Sequence, residues 1–244
     1  MNRDAQPATA PALIGIVAAY RAEIAPLLHR ARSVRRAAKG DFRLALPQGE
    51  AVLAISGAGK SQARAAAEWL LQRHSPRALI SIGFAGGLAE NMTTGSILVA
   101  SDVVDAEREI TYPCAGGIFA AGTGVTGRLA TTPGVVSTRS DKAALHARWE
   151  AAAADMEASA VAEAARAAGI GFAALKAITD GPADELAIDF QRCFTANGSL
   201  SSVKIVLQGL RGPAQFRSLL MLARNSRSAA NSLAEALLGT KSRL

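Results

Sequence analysis

Residues 13–19, LIGIVAA, are a short apolar run between a polar segment and a helical pattern, the mark of a buried strand. A helix is predicted next, from about Arg21 to Arg32. Phe42–Leu46 and Ala51–Ile55 read as strands joined by a turn at Pro47-Gln48-Gly49. Gly57 and Gly59 mark a loop, and residues 61–73 carry a strong helical pattern. The apolar run 78–82, ALISI, predicts a strand leading into a glycine turn, Gly83-Phe84-Ala85-Gly86-Gly87. A further strand is predicted over 96–104. Residues 111–135 show little periodicity and read as loops and short strands, and 141–150 read as a helix.

Residues 154–184 are the most informative stretch. Asp155, Met156 and Glu157 open an alanine-rich helix, which breaks at Gly169 and Gly171. An apolar strand follows over 172–179 and ends on Asp180. Two short elements are expected over 185–212, separated by Asn197-Gly198. In a last helix, 213–238, apolar positions 216, 219, 220, 223, 230, 233, 234 and 237 fall on one face. Strands that alternate with helices predict an α/β fold, with a mixed or largely parallel central sheet flanked by helices. The division expected is a disordered tail over 1–12 and a single domain over 13–244 that ends in the amphipathic helix.

Composition changes this picture little. Half of the 244 residues are hydrophobic, enough for a sizeable aliphatic core. The formal net charge of +7 suits nucleic acid, an anionic membrane or a phosphorylated substrate, and equally a solvated surface. No zinc spacing or interleaved aromatic pattern of a nucleic-acid module is present, so a nucleic-acid partner is not expected. Two cysteines, Cys114 and Cys193, fit free thiols in a cytoplasmic protein. No apolar run is long enough to span a membrane, and residues 1–12 do not read as a signal peptide. His29, His74 and His146 lack ligand spacing, so no metal is expected.

Ligands of open α/β sheets bind beyond the carboxyl ends of the strands. Strand 13–19 delivers Tyr20, Arg21 and Glu23 there, strand 78–82 the glycine segment, and strand 172–179 Asp180. The helix at Asp155 adds Met156 and Glu157. Each residue has a plain alternative. Glu23 could be a surface residue of an early helical turn, and Asp155 an N-cap. Glu157 could serve the helix dipole and Asp180 a turn. It is their combination that points to a site.

The segments IGIVAAYRAEIAPLL (14–28), ISGAGKSQARAAAEWLL (55–71), ISIGFAGGLAENMTTGSILVASDVV (80–104) and ADMEASAVAEAARAAGIGFAALKAITD (154–180) closely resemble the nucleoside phosphorylase/nucleosidase superfamily. They are most like its methylthioadenosine/S-adenosylhomocysteine nucleosidase branch. The tail over 181–237 is similar to the hopanoid-associated phosphorylases, thought to release adenine from adenosylhopane. The resemblance implies one phosphorylase-like domain whose mixed sheet curls toward a barrel, a homo-oligomer with a dimer favoured, and cleavage of an N-glycosidic bond in a purine nucleoside. It implies that Asp180 donates a proton toward N7, kept protonated by burial at the end of an apolar strand. Glu23 would activate the nucleophile, Glu157 would bind the ribose hydroxyls, and Met156 would pack on the sugar. Gly83, Phe84, Ala85 and Gly86 would line the sugar site, and Ser137 and Thr138 fall near the expected base-binding strand.

No cofactor is implied, apart from phosphate as a co-substrate if the reaction is phosphorolytic. Phe84 stands where the superfamily often has serine or threonine, and Ser81 where phosphorolytic relatives carry arginine. Both departures, with Glu23, lean toward water, while the closer family name says phosphorolysis. The residue that stacks on the base is not assignable within 105–141. A hopane tail would have to be met at a membrane, which places the enzyme at the inner membrane surface. Helix 213–238 is the candidate contact, unless its apolar face packs on the sheet instead. A nucleosidase for methylthioadenosine or S-adenosylhomocysteine, or a non-catalytic nucleoside binder, are the alternative readings.

Overall fold

The computed structural model describes residues 13–31, 33–36, 41–47, 49–193, 195 and 201–239. In chain order the elements are β1 (Ile14–Ala18), α1 (Arg21–Arg30), β2 (Val34–Arg36), β3 (Phe42–Leu46), β4 (Gly49–Ile55), α2 (Lys60–His74), β5 (Ala78–Gly87) and β6 (Ile97–Asp105). There follow β7 (Ile110–Pro113), β8 (Val125–Thr131), α3 (Arg139–Trp149), β9 (Ala151–Asp155), α4 (Ala158–Ala167), β10 (Gly171–Asp180), α5 (Ser202–Gly209) and α6 (Pro213–Leu238), with a 3₁₀ turn at Phe190–Cys193 before α5. The expected tail 1–12 and the break at Asn197-Gly198 lie outside the described residues.

The sheet runs β10-β6-β8-β9-β5-β1-β4-β3-β2, and β10 also pairs with β5. That extra pairing closes β5, β10, β6, β8 and β9 into a ring, from which β1, β4, β3 and β2 extend as a wing. Parallel and antiparallel pairs are mixed, so the expected mixed sheet curling to a barrel is what forms. β1 is buried at all five positions because α2 covers one face and α1 the other. β3 alternates buried and exposed, as befits an antiparallel strand with one wet face.

Two expected boundaries are corrected. Residues 83–87 are not a turn but the second half of β5. The glycines keep the strand going where neighbours come too close for a side chain: a Cβ on Gly87 would sit 2.2 Å from the Met92 carbonyl oxygen. Asp155 does not open the helix either. It ends β9, and α4 starts at Ala158, whose N–H donates to Asp155 Oδ2 at 2.9 Å. The strand over AAAAD is absent from the sequence reading because alanine favours helix. Here burial between β8 and β5 overrides that preference.

α6 is divided along its length. Ala229, Ala230, Leu233, Ala234 and Leu237 are buried, and the helix packs on α1 and β10. Its first half turns the same stripe outward, with Leu220 54% exposed and Phe216 exposed too. Val203, Val206, Leu207 and Leu210, on and just after α5, are exposed beside it.

Candidate active site

The site opens where β5 changes neighbours. β1 pairs with β5 only as far as Ile82, and β9 joins it only from Gly86. Between them, residues 83–85 lack a partner strand on that edge. Glu23, in the first turn of α1, fills the gap: its Oε1 accepts from the Phe84 N–H at 3.1 Å and its Oε2 from the Tyr20 N–H at 2.9 Å. Gly83 is required for this. Its φ is +145°, and a Cβ there would lie 2.6 Å from Glu23 Oε1, so any side chain would push the carboxylate aside. Gly86 faces Asp180 in the same way, at 3.4 Å from Oδ2.

Four charged groups are buried together behind this gap. Lys176 of β10 donates to Ser81 Oγ at 3.0 Å and pairs with Asp155 Oδ2 at 2.8 Å. Asp155 is further held by the Thr131 hydroxyl at 2.7 Å, so its work is structural. Glu157 accepts from the Gly59 N–H at 2.7 Å, and Glu23 completes the set. Three carboxyl groups face one ammonium, so the cluster is rich in acid. Burial pushes Glu157 up to about 7, and the Asp155 charge adds to it. Burial also raises Glu23, opposed by the Tyr20 and Phe84 N–H bonds and by Lys176. Burial acts to lower Lys176, but Asp155, Glu157 and Glu23 outweigh it and hold the ammonium above its ordinary range.

Asp180 lies at the end of β10 and is buried, as expected. Its surroundings are not the apolar ones predicted. Lys142 Nζ is 2.5 Å from Asp180 Oδ2, and the Thr179 hydroxyl donates to Oδ1 at 2.8 Å. Asp180 therefore stands in a salt bridge rather than as a lone carboxyl under desolvation. Lys142 comes from α3, which the sequence predicts as a helix over 141–150 but in which nothing singles out this lysine.

A cavity of about 490 Å³ brings these groups together. Its polar floor includes Glu23, Glu157, Asp180, Thr179, Thr132 and Lys142, with Met156, Phe84, Ala85 and Gly86 beside them. Its other side is apolar, built from Val135, Val136, Leu186, Phe190, Ile205 and Leu222. Phe190 and Leu186 pack in one cluster with Ile205, Leu219 and Leu222, which ties this wall to α5 and α6. Ser137 and Thr138 are not among the lining residues. Thr138 caps α3 by accepting from the Asp141 N–H, and the Ser137 carbonyl accepts from Leu186 N–H. Gly134, Val135 and Val136, just before them, reach the cavity instead.

Fold and site together have the form of a nucleoside-processing enzyme, and the sequence matches the model of the Phosphorylase superfamily over residues 13–122 and 120–208. The chain belongs to that superfamily. It is similar to the 5'-methylthioadenosine/S-adenosylhomocysteine nucleosidase of Shewanella piezotolerans, 24% identical over 79% of this chain and 96% of that protein. The fold matches futalosine hydrolase of Helicobacter pylori with a TM-score of 0.69 at 17% identity, covering 93% of this chain and 95% of that one. It matches the S-adenosylhomocysteine nucleosidase of Streptococcus pyogenes with a TM-score of 0.71 at 20% identity, covering 96% and 97%.

Proposed function

We propose that the protein cleaves the N-glycosidic bond of a purine nucleoside bearing an apolar 5′ group, using water as the nucleophile. The observation that carries this is the pair of buried carboxylates, Glu23 and Glu157, on the floor of one cavity that also holds Asp180. Breaking the bond builds positive charge on the ribose and negative charge on the base. Carboxylates fixed beside the sugar favour the first charge without reorganising. Glu157 would accept from the ribose hydroxyls, Glu23 would take the proton of the attacking water, and the Asp180 side would supply one to the base.

The cluster of three acids against one lysine supports water over phosphate, since an anion would meet more carboxyl groups than ammonium groups there. Its one buried ammonium, Lys176, is already engaged by Asp155 and Ser81. The similarity to nucleosidases of methylthioadenosine and S-adenosylhomocysteine supports adenine as the base.

The apolar wall supports a hydrocarbon-rich 5′ group, with adenosylhopane the substrate that the resemblance of the tail suggests. Exposed Val206, Leu207, Phe216 and Leu220 lie on the same helices as cavity residues Ile205 and Leu222, and exposed Leu210 follows α5 directly. Arg211, Arg217 and Arg224 of the same segment are exposed as well. A segment that exposes both apolar side chains and arginines suits an anionic membrane surface, from which such a substrate would enter.

Adenine release is the test, from 5′-methylthioadenosine, S-adenosylhomocysteine and a nucleoside with a long 5′ alkyl chain, with and without phosphate. Equal rates without phosphate and preference for the alkyl nucleoside are expected. A rate that depends on phosphate removes the hydrolytic reading, and preference for S-adenosylhomocysteine removes the apolar one. Co-sedimentation with phosphatidylglycerol vesicles is expected, and its absence at low salt removes the membrane contact.

A further inference from the structure

The salt bridge between Lys142 and Asp180 asks for more than a structural account. α3 is a largely exposed helix, and Lys142 is its one buried residue, with no measurable exposure. Lysine is almost never buried so fully unless paired. Its three N–H groups each meet an acceptor: Asp180 Oδ2 at 2.5 Å, the Gly181 carbonyl at 2.7 Å and the Asp184 carbonyl at 3.0 Å. An ammonium has three donors and no acceptor, so the head group is saturated in its charged form. Asp180 is in turn bound through both oxygens, with Thr179 on Oδ1. Lys142 and Asp180 both line the cavity.

A clamp on the 181–184 turn would need only the two carbonyls. The carboxylate contact puts a proton-bearing group directly behind the acid that faces the leaving base. We infer that Lys142 is a positioning residue and proton reserve for Asp180, and that the two deliver the leaving-group proton as a pair. This rests on the N-glycosidic reading above. As the C1′–N9 bond breaks, its electron pair moves onto the purine. N7 takes a proton from the Asp180 carboxyl, and Lys142 Nζ supplies that proton to Oδ2, becoming a neutral amine. Water oxygen bonds to C1′ and its proton passes to Glu23. One proton is lost at Lys142 and one gained at Glu23, and exchange with solvent after product release restores both.

The test compares two leaving groups in the full chain. 5′-Methylthioadenosine needs a proton on its base, whereas 4-nitrophenyl β-D-riboside releases a stable anion. Lys142→Met is expected to lose about 100-fold or more on the first and less than about threefold on the second, the range of general acid help. The loss on methylthioadenosine should be largest at alkaline pH and shrink as pH falls, as protons supplied by solvent replace the missing donor. Equal losses on both substrates, with the pH profile unchanged in shape, would reduce Lys142 to a clamp. If Lys142→Met does not fold, Lys142→Gln keeps a donor for Asp180 without the charge, and the same two outcomes decide. Wild-type protein that releases neither adenine nor nitrophenol would refute the N-glycosidic reading itself.

Discussion

Glu23→Gln is expected to lower kcat for adenine release by about 10²–10⁴-fold, the usual worth of a general base. Glutamine has a single amide oxygen, so it keeps only one of the two bonds from the Phe84 and Tyr20 N–H groups; it still fills the gap between β1 and β9, at a cost to stability of about 1–3 kcal/mol for the N–H left unpaired. What it cannot do is take a proton from water. KM should change little, because Glu23 holds the nucleophile rather than the sugar. Steady-state kinetics on purified variant, with circular dichroism to confirm folding, measure this. A variant within about threefold of wild type would mean that another group activates the water.

Glu157→Gln should separate activity from stability. Activity is expected to fall sharply, with KM rising, because the carboxylate that accepts from the ribose hydroxyls is gone. Stability is expected to rise at neutral and alkaline pH. The sign follows from burial, which raises Glu157 from 4.5 to about 7 in the folded protein. Between these values the folded state binds more protons than the unfolded one, so stability falls as pH rises. The contribution is fully present below about 4.5 and lost as pH climbs through about 7. Above that, wild type carries an ionised carboxylate beside Asp155, which glutamine removes while still accepting from the Gly59 N–H. Thermal melts should show the variant ahead by on the order of 5 °C at pH 8, the gap closing toward pH 5. A variant that melts lower at pH 8 would show that the lost Glu157–Lys176 attraction outweighs the relief. Activity of wild type should decline on the acid side of pH 7 for the same reason, as Glu157 takes up a proton.

Both predictions concern carboxylates that were legible in the sequence, and the reason is positional. Glu23 follows shortly after an apolar run, Asp180 ends one, and Glu157 opens an alanine-rich helix, so each acid is noticeable against its neighbours. The fold was legible for a related reason: buried parallel strands such as β1 and amphipathic helices such as α2 write their periodicity into local sequence. The reading of 83–87 as a turn shows the limit of that logic. Glycine marks close approach as well as turning, and only the position of Glu23 and Met92 tells which.

The sequence by itself determined the α/β alternation, the three acids and the family resemblance, because these depend on residues near one another in the chain or on order along it. The tertiary structure alone decided the charge balance around them. Lys176 and Lys142 are ordinary lysines in sequence, and nothing local distinguishes them from solvated ones. Closure of the ring by β10 on β5 sets Lys176 among Asp155, Glu157 and Glu23. The packing of α3 sends Lys142 across 38 residues of chain to Asp180. A buried charge takes its meaning from its partners, and partners so far apart are brought together only by folding.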